Sequence, residues 1–206
     1  MIAKTLALAL ALTSSGAAAD PPLAPVVVQI HTAEGDITVA LDVEQAPLST
    51  CNFVRYVRAG RYRDARFFRT VVAETNDNPN PIDVVQAETT AGSDDPGFGP
   101  ILLERTRDTG LSHRAGTISM ARDGADTATS SFFIVVEHAP ALDFGGGRHP
   151  DGQGFAAFGQ VTQGLDLVRA IQARPATEEQ LHAPVLISDI ELLSPVPAVC
   201  DAASPE

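Results

Sequence analysis

The side chains that could do chemistry in this sequence miss the familiar arrangements until Arg69 is reached. Five histidines (His31, His113, His138, His149 and His182) lie scattered among 26 acidic residues and many serines. No Gly-x-Ser-x-Gly elbow marks a nucleophile, so hydrolysis by a serine has no anchor. No two histidines stand three or four apart on a helical segment. Asp123-Gly124-Ala125-Asp126 lacks the alternating oxygen ligands of a calcium loop, so no metal or cofactor is expected. The glycine-rich stretch 144–154 has neither the Lys-Ser/Thr nor the helix start of a phosphate cradle and reads as a solvated loop. What remains is a site without acid, base or nucleophile. Its features are Arg69 within Phe67-Phe68-Arg69-Thr70-Val71-Val72 and two later runs, Gly116-Thr117-Ile118-Ser119-Met120-Ala121-Arg122 and Ser130-Ser131-Phe132-Phe133-Ile134.

The elements that must position these residues read mostly as strands. Alternating or continuous apolar patterns predict strands over 26–31, 37–41, 66–73, 82–87, 117–121, 132–136, 155–161 and 185–193. Turn chemistry in Ala33-Glu34-Gly35-Asp36 makes the first two a hairpin. Pro47 sits where a first helical turn tolerates it, Leu48, Phe53, Val54 and Val57 recur at near-helical spacing, and Gly60 can close a helix over 46–59. A second helix is expected over 163–173. Residues 75–81 and 88–113 read as loops, the latter a long surface excursion. Eight strands and two helices predict a mainly β fold, a closed eight-stranded antiparallel β-barrel capped by two α-helices.

Over nearly all of residues 26–193 the chain resembles the cyclophilin peptidyl-prolyl isomerases. The hairpin, the Ala46-Pro47 helix with Asn52-Phe53, Phe67-x-Arg69, Ser119-Met120-Ala121, Ser130-x-Phe132-Phe133-Ile134, Leu142-Asp143 and Phe158-Gly159-x-Val161 occur in that family's order. The resemblance implies that Arg69 is the catalytic residue and that proline-containing polypeptides are the substrates. It implies that Phe133 and Leu142 wall a proline pocket, that Met120 and Ala121 line the groove, and that Gln86 contacts substrate backbone; for Phe133 and Met120 a place in the core is the competing reading. Arg122 stands where many members have asparagine, Ser131 where many have glutamine, Ala141 where some have tryptophan and Phe155 where some have histidine. Asp83, or Ile82 if the alignment shifts by one, falls where a pocket phenylalanine is common. A groove altered at its rim leaves a rival reading: a barrel that holds proline segments as a chaperone module, with little or no turnover.

The termini and composition bound the rest. Lys4, the apolar run Leu6 to Leu12 and Ala17-Ala18-Ala19 before Asp20 match a signal peptide over 1–19, which implies export, most simply to a periplasm. Residues 20–25 form a proline-rich leader, 26–194 the single isomerase-like domain and 195–206 a tail. No apolar run approaches the roughly 20 residues of a spanning helix, so no membrane insertion is expected. A formal net charge of −12 and the lack of a basic run exclude nucleic acid as a partner, and a monomer is expected. Cys51 and Cys200 permit one intramolecular disulfide; a buried helix cysteine and a free tail thiol are the alternative.

Overall fold

Val26, Val28 and Ile30 on β1 (Val26–Thr32) and Ile37, Val39 and Leu41 on β2 (Gly35–Leu41) are fully buried. The residues between them are half-buried, the period of a sheet with one face on a core. In the turn joining them, Thr32 Oγ1 donates to the Gly35 carbonyl (2.8 Å), and Gly35 adopts a φ of +138° that a side chain would strain. The computed structural model describes residues 22–92 and 96–202, so the segment 1–19 read as a signal peptide lies outside the described residues.

The remaining strands are β3 (Ala65–Val71), β4 (Val84–Glu88), β5 (Thr117–Met120), β6 (Phe132–Val135), β7 (Ala156–Gln163), β8 (Ala176–Thr177) and β9 (Gln180–Leu192). All strand pairings among the described residues are antiparallel. The order is β1-β2-β7-β5-β6-β4-β3-β9, and β9 pairs back onto β1, so eight strands close a barrel and leave no long edge unpaired. The two-residue β8 pairs only with β9. The last strand begins five residues earlier than its apolar pattern predicts, because its first half makes a hairpin with β8 and then pairs with β3.

Two main helices, α1 (Pro47–Arg58) and α3 (Leu165–Gln172), form where expected, and two single-turn helices, α2 (Thr106–Thr109) and α4 (Val199–Ala202), add to them. Ala46 offers α1 no side-chain cap. The backbone N–H groups of Leu48 and Ser49 instead donate to the two carboxylate oxygens of Glu104 (2.9 and 2.7 Å). The 88–113 excursion thus places a negative charge on the positive end of the helix and satisfies two of its orphan donors. Inside the barrel Phe53 packs against Tyr62, Phe132 and Phe158 with ring centroids 5.0, 5.3 and 5.6 Å away. The Tyr62 hydroxyl donates to the Ser130 carbonyl (2.7 Å), and burial pushes its pKa well above the ordinary value. Cys51 on α1 and Cys200 on α4 are joined as a disulfide, with Cα atoms 4.8 Å apart, and Arg58 pairs with Asp201 beside them (2.7 Å). Among the described residues no helix is long and apolar enough to cross a membrane.

Candidate active site

Phe67 is fully buried in the barrel, and strict strand alternation would send Arg69 to the same interior face. The ladder prevents this. Phe67 pairs with Ala87 and Arg69 with Gln86, neighbours on β4, so Phe68 is an extra residue on β3; the register with β9 shifts at the same place. This bulge re-aims Arg69 to the outer face, alongside Gln86, while Phe67 and Ala87 stay in the core. A guanidinium that would otherwise be stranded in the barrel interior is delivered to a surface groove.

The same outer face carries a second apolar cluster, separate from the barrel core: Val71, Ile82, Val84, Phe133, Val135, Ala139 and Leu142, with Ala121, Ala141 and Phe155 packed against it. Phe133 and Val135 belong to it because Phe132 and Ile134, alternating with them on β6, face inward. From this cluster Ile82, Val84, Phe133, Leu142, Ala121 and Phe155, together with Arg69, Gln86 and Ser131, line a groove of roughly 350 Å³, an ordinary size for a small-ligand site. Phe155 meets Phe133 edge-on (5.5 Å), and the fully buried His113 stacks behind Phe133 (6.1 Å). His113 bonds Asp143 through Nδ1 (2.7 Å) and Ser119 through Nε2 (3.0 Å). This reproduces the connectivity of a hydrolytic triad, yet Ser119 and His113 are 0% exposed, so no scissile carbonyl can reach them. Their role is to fix Phe133 and the Asp143 corner.

Polar contacts lock the arginine. Nη1 of Arg69 donates to Gln86 Oε1 (2.7 Å), while Nε (2.9 Å) and Nη2 both donate to Oε2 of Glu179. One N–H on each of Nη1 and Nη2 is left for a ligand. Gln86 in turn donates to Ser131 Oγ (3.0 Å), which donates to the Ala87 carbonyl (2.8 Å), so the amide orientation of Gln86 is set from behind. Glu179 occupies the two-residue β8–β9 turn with Glu178; both are left-handed, with φ of +67° and +49°. The Glu179 carbonyl accepts from Thr70 N (2.8 Å) and its second carboxylate oxygen accepts from Asn76 Nδ2. Strained non-glycine backbone held by such anchors is a common mark of a functional site.

Among the residues expected at the site, Arg69, Gln86, Phe133, Leu142, Ala121, Arg122, Ser131 and Phe155 all line the groove. Two others do not. Met120 is 1% exposed and belongs to the barrel core, because it pairs with Phe132 and shares its inward face. Asp83 turns away; its Oδ1 accepts from Ala73 N (3.0 Å) and Gln172 Nε2 (2.7 Å), tying the segment after β3 to α3, and Ile82 takes the place beside the pocket. Arg122 lines the rim but is committed to the protein, bonding both oxygens of Asp151 (2.8 and 2.9 Å) and the Gly154 carbonyl over the Phe155 ring. Glu179, Asn76 and the groove-lining Arg148 have no counterpart among the expected residues.

Comparison with known proteins agrees with this fold. The family model described as cyclophilin type peptidyl-prolyl cis-trans isomerase/CLD matches residues 27–192. The chain is 31% identical over 170 residues to peptidyl-prolyl cis-trans isomerase cyp18 of Streptomyces antibioticus, covering 81% of this chain and 95% of that protein. It is 30% identical over 171 residues to peptidyl-prolyl cis-trans isomerase B of Escherichia coli, covering 80% and 94%. A crystal structure of a cyclophilin type isomerase from Cryptosporidium parvum shares the fold, with a TM-score of 0.68 at 22% identity over 84% of this chain and 99% of that one. A barrel of this topology, a re-aimed arginine beside an apolar groove and these matches along its length place the chain in the cyclophilin family of peptidyl-prolyl cis-trans isomerases.

Proposed function

We propose that this peptidyl-prolyl isomerase turns Xaa-Pro bonds by seating the proline ring against Phe133, Ile82 and Leu142 and presenting Arg69 to the rotating imide. The barrier in water is about 18–20 kcal/mol because the twisted bond loses amide resonance. As resonance is lost the proline nitrogen becomes pyramidal and regains a lone pair, to which the guanidinium can donate only in that state. Such selective binding lowers the barrier without any proton leaving the enzyme. Gln86 gives the substrate backbone a polar rail, and the apolar pocket excludes water from the ring. Neither a cofactor nor a metal enters this scheme.

The observation that carries the reading is the tethered guanidinium of Arg69 on the groove face, with N–H groups left over beside an apolar pocket. The test is NMR exchange of a short Ala-Pro peptide with wild type and Arg69→Ala, both checked for native dispersion. Acceleration that collapses in the variant is expected; full acceleration by a folded variant would overturn the mechanism. Binding without acceleration in wild type would select the chaperone reading.

We also read the protein as exported, periplasmic and monomeric. The leader pattern of residues 1–19 supports export, and a Cys51–Cys200 bridge suits an oxidising compartment. Mass spectrometry of protein recovered from the cell envelope should find an N-terminus at Asp20; an intact Met1 there would refute cleavage.

A further inference from the structure

Three arginines line the groove: Arg69, Arg122 and Arg148. Arg69 is paired with Glu179 and Arg122 with Asp151. Arg148 has no ion-pair partner among the described residues. Its Nη1 donates to two neutral oxygens, Asn76 Oδ1 (2.8 Å) and the Asn80 carbonyl (3.3 Å), while Nε and Nη2 meet no acceptor in the described residues. The charges that act on it are Glu179, which attracts, and Arg69, which repels. Both oxygens of Glu179 are already engaged, one by Arg69 and the other by Asn76. Around Arg148, therefore, two guanidinium groups share one carboxylate, a local excess of positive charge, although Asp123 also lines the groove. Burial adds to the imbalance, lowering the Arg148 pKa below its ordinary value, with the Arg69 charge acting in the same direction and Glu179 opposing.

We propose that Arg148 forms a carboxylate subsite of the groove, so that favoured substrates carry Asp or Glu within a residue or two of the proline. A planar guanidinium with a free Nε/Nη2 edge matches a carboxylate in both charge and geometry. The net charge of −12 does not counteract this at contact range, since repulsion from distant surface carboxylates is screened beyond about 8 Å at physiological salt. Asn76 joins the subsite to the catalytic centre. It accepts from Arg148 through Oδ1 and donates to Glu179 through Nδ2, so occupancy of one is felt at the other.

This inference rests on the isomerase reading and is tested so that the two fail differently. Exchange is measured by NMR for a neutral Ala-Ala-Pro-Ala-Ala peptide and for versions carrying Glu or Lys at one flanking position at a time. Wild type should favour Glu over Lys by about fivefold in at least one position, the size of a partly exposed ion pair. That ratio should shrink in high salt, vanish in Arg148→Gln and reverse in Arg148→Glu. Acceleration of the neutral peptide with equal Glu and Lys rates in every position would overturn the subsite and spare the isomerase. No acceleration of any peptide would overturn the reading beneath it. Should the variants misfold, equal Glu and Lys rates on wild type would still overturn the subsite, and assignment of a preference to Arg148 is then read from Arg148→Lys, which keeps the charge and should keep a weakened Glu preference.

Discussion

Glu179 tethers the Arg69 guanidinium through two of its N–H groups, and its removal sets two effects against each other. Losing the counter-charge would free a stronger cation; losing the tether would free a side chain with roughly 2 kcal/mol of rotamer entropy. Because the group to be stabilised is a neutral lone pair, the benefit depends on hydrogen-bond direction more than on net charge, and the tether should dominate. Arg69 and Glu179 side chains are 31% and 29% exposed, so the pair is discounted for solvent, and the Gln86 contact survives as a second anchor. A loss of about 1.4 kcal/mol in transition-state stabilisation, or tenfold in kcat/KM, is the expected size. Glu179→Asn is the informative substitution: asparagine tolerates the left-handed φ of +67°, so the turn is kept while the shorter side chain withdraws from Arg69. Glu179→Gln keeps an acceptor and should lose only about threefold. The deficit should fall on kcat more than KM, since the arginine acts in the twisted state. A folded Glu179→Asn protein as active as wild type, or more so, would refute the tether and mark Glu179 as a restraint on activity.

Three further outcomes are expected. Replacing Cys51 and Cys200 with serine, or reducing them, should lower stability by about 2 to 4 kcal/mol, the usual range for a disulfide and somewhat below the roughly 5 kcal/mol that chain entropy alone gives for a separation of 149 residues; a denaturant midpoint indifferent to reductant would contradict this. Glu178→Gly should raise the melting temperature, since glycine takes the φ of +49° without strain and this exposed residue touches nothing in the groove; a lower melting temperature would mean the turn is held by the Glu178 side chain. Hydrogen bonds from the Arg122 guanidinium hold the Asp151 carboxyl well below the usual carboxylate range, so its contribution is present above the ordinary pKa of 3.8 and is lost as pH falls through the lower folded value. Urea midpoints of wild type should therefore drop more steeply than those of Asp151→Asn below about pH 4, and parallel curves would show that the pair contributes nothing.

The strands most legible in the sequence were those with one solvated face. β1 and β2 bury every second residue over most of their length, and the sequence pattern alone marks both as strands. β9 was half visible because Gln180-Leu181-His182-Ala183-Pro184 has only one buried residue; it is a strand by virtue of β8 and β3, not of its own pattern. α2 and α4 span four residues each, too short for periodicity to show. Met120 was misplaced for a related reason. A strand's composition says that one face is buried, but which residues take the inner face depends on the register with β6 and β7.

The site divides along the same line. Arg69, Phe133 and Gln86 could be named from the sequence because the local motifs that carry the family resemblance include or flank them. The direction in which Arg69 points could not be read, since no glycine or other irregularity at Phe68 announces the bulge. Glu179 lies 110 residues away, in a turn with neither asparagine nor glycine at its left-handed positions, so no turn rule would have located it. Its contact with Arg69 exists only because closure of the barrel sets β9 beside β3. The proposed catalytic arginine therefore belongs to a short motif, while its aim depends on strand pairings across the chain. Substitutions that loosen the β3–β9 seam should impair the arginine even when they lie far from the groove.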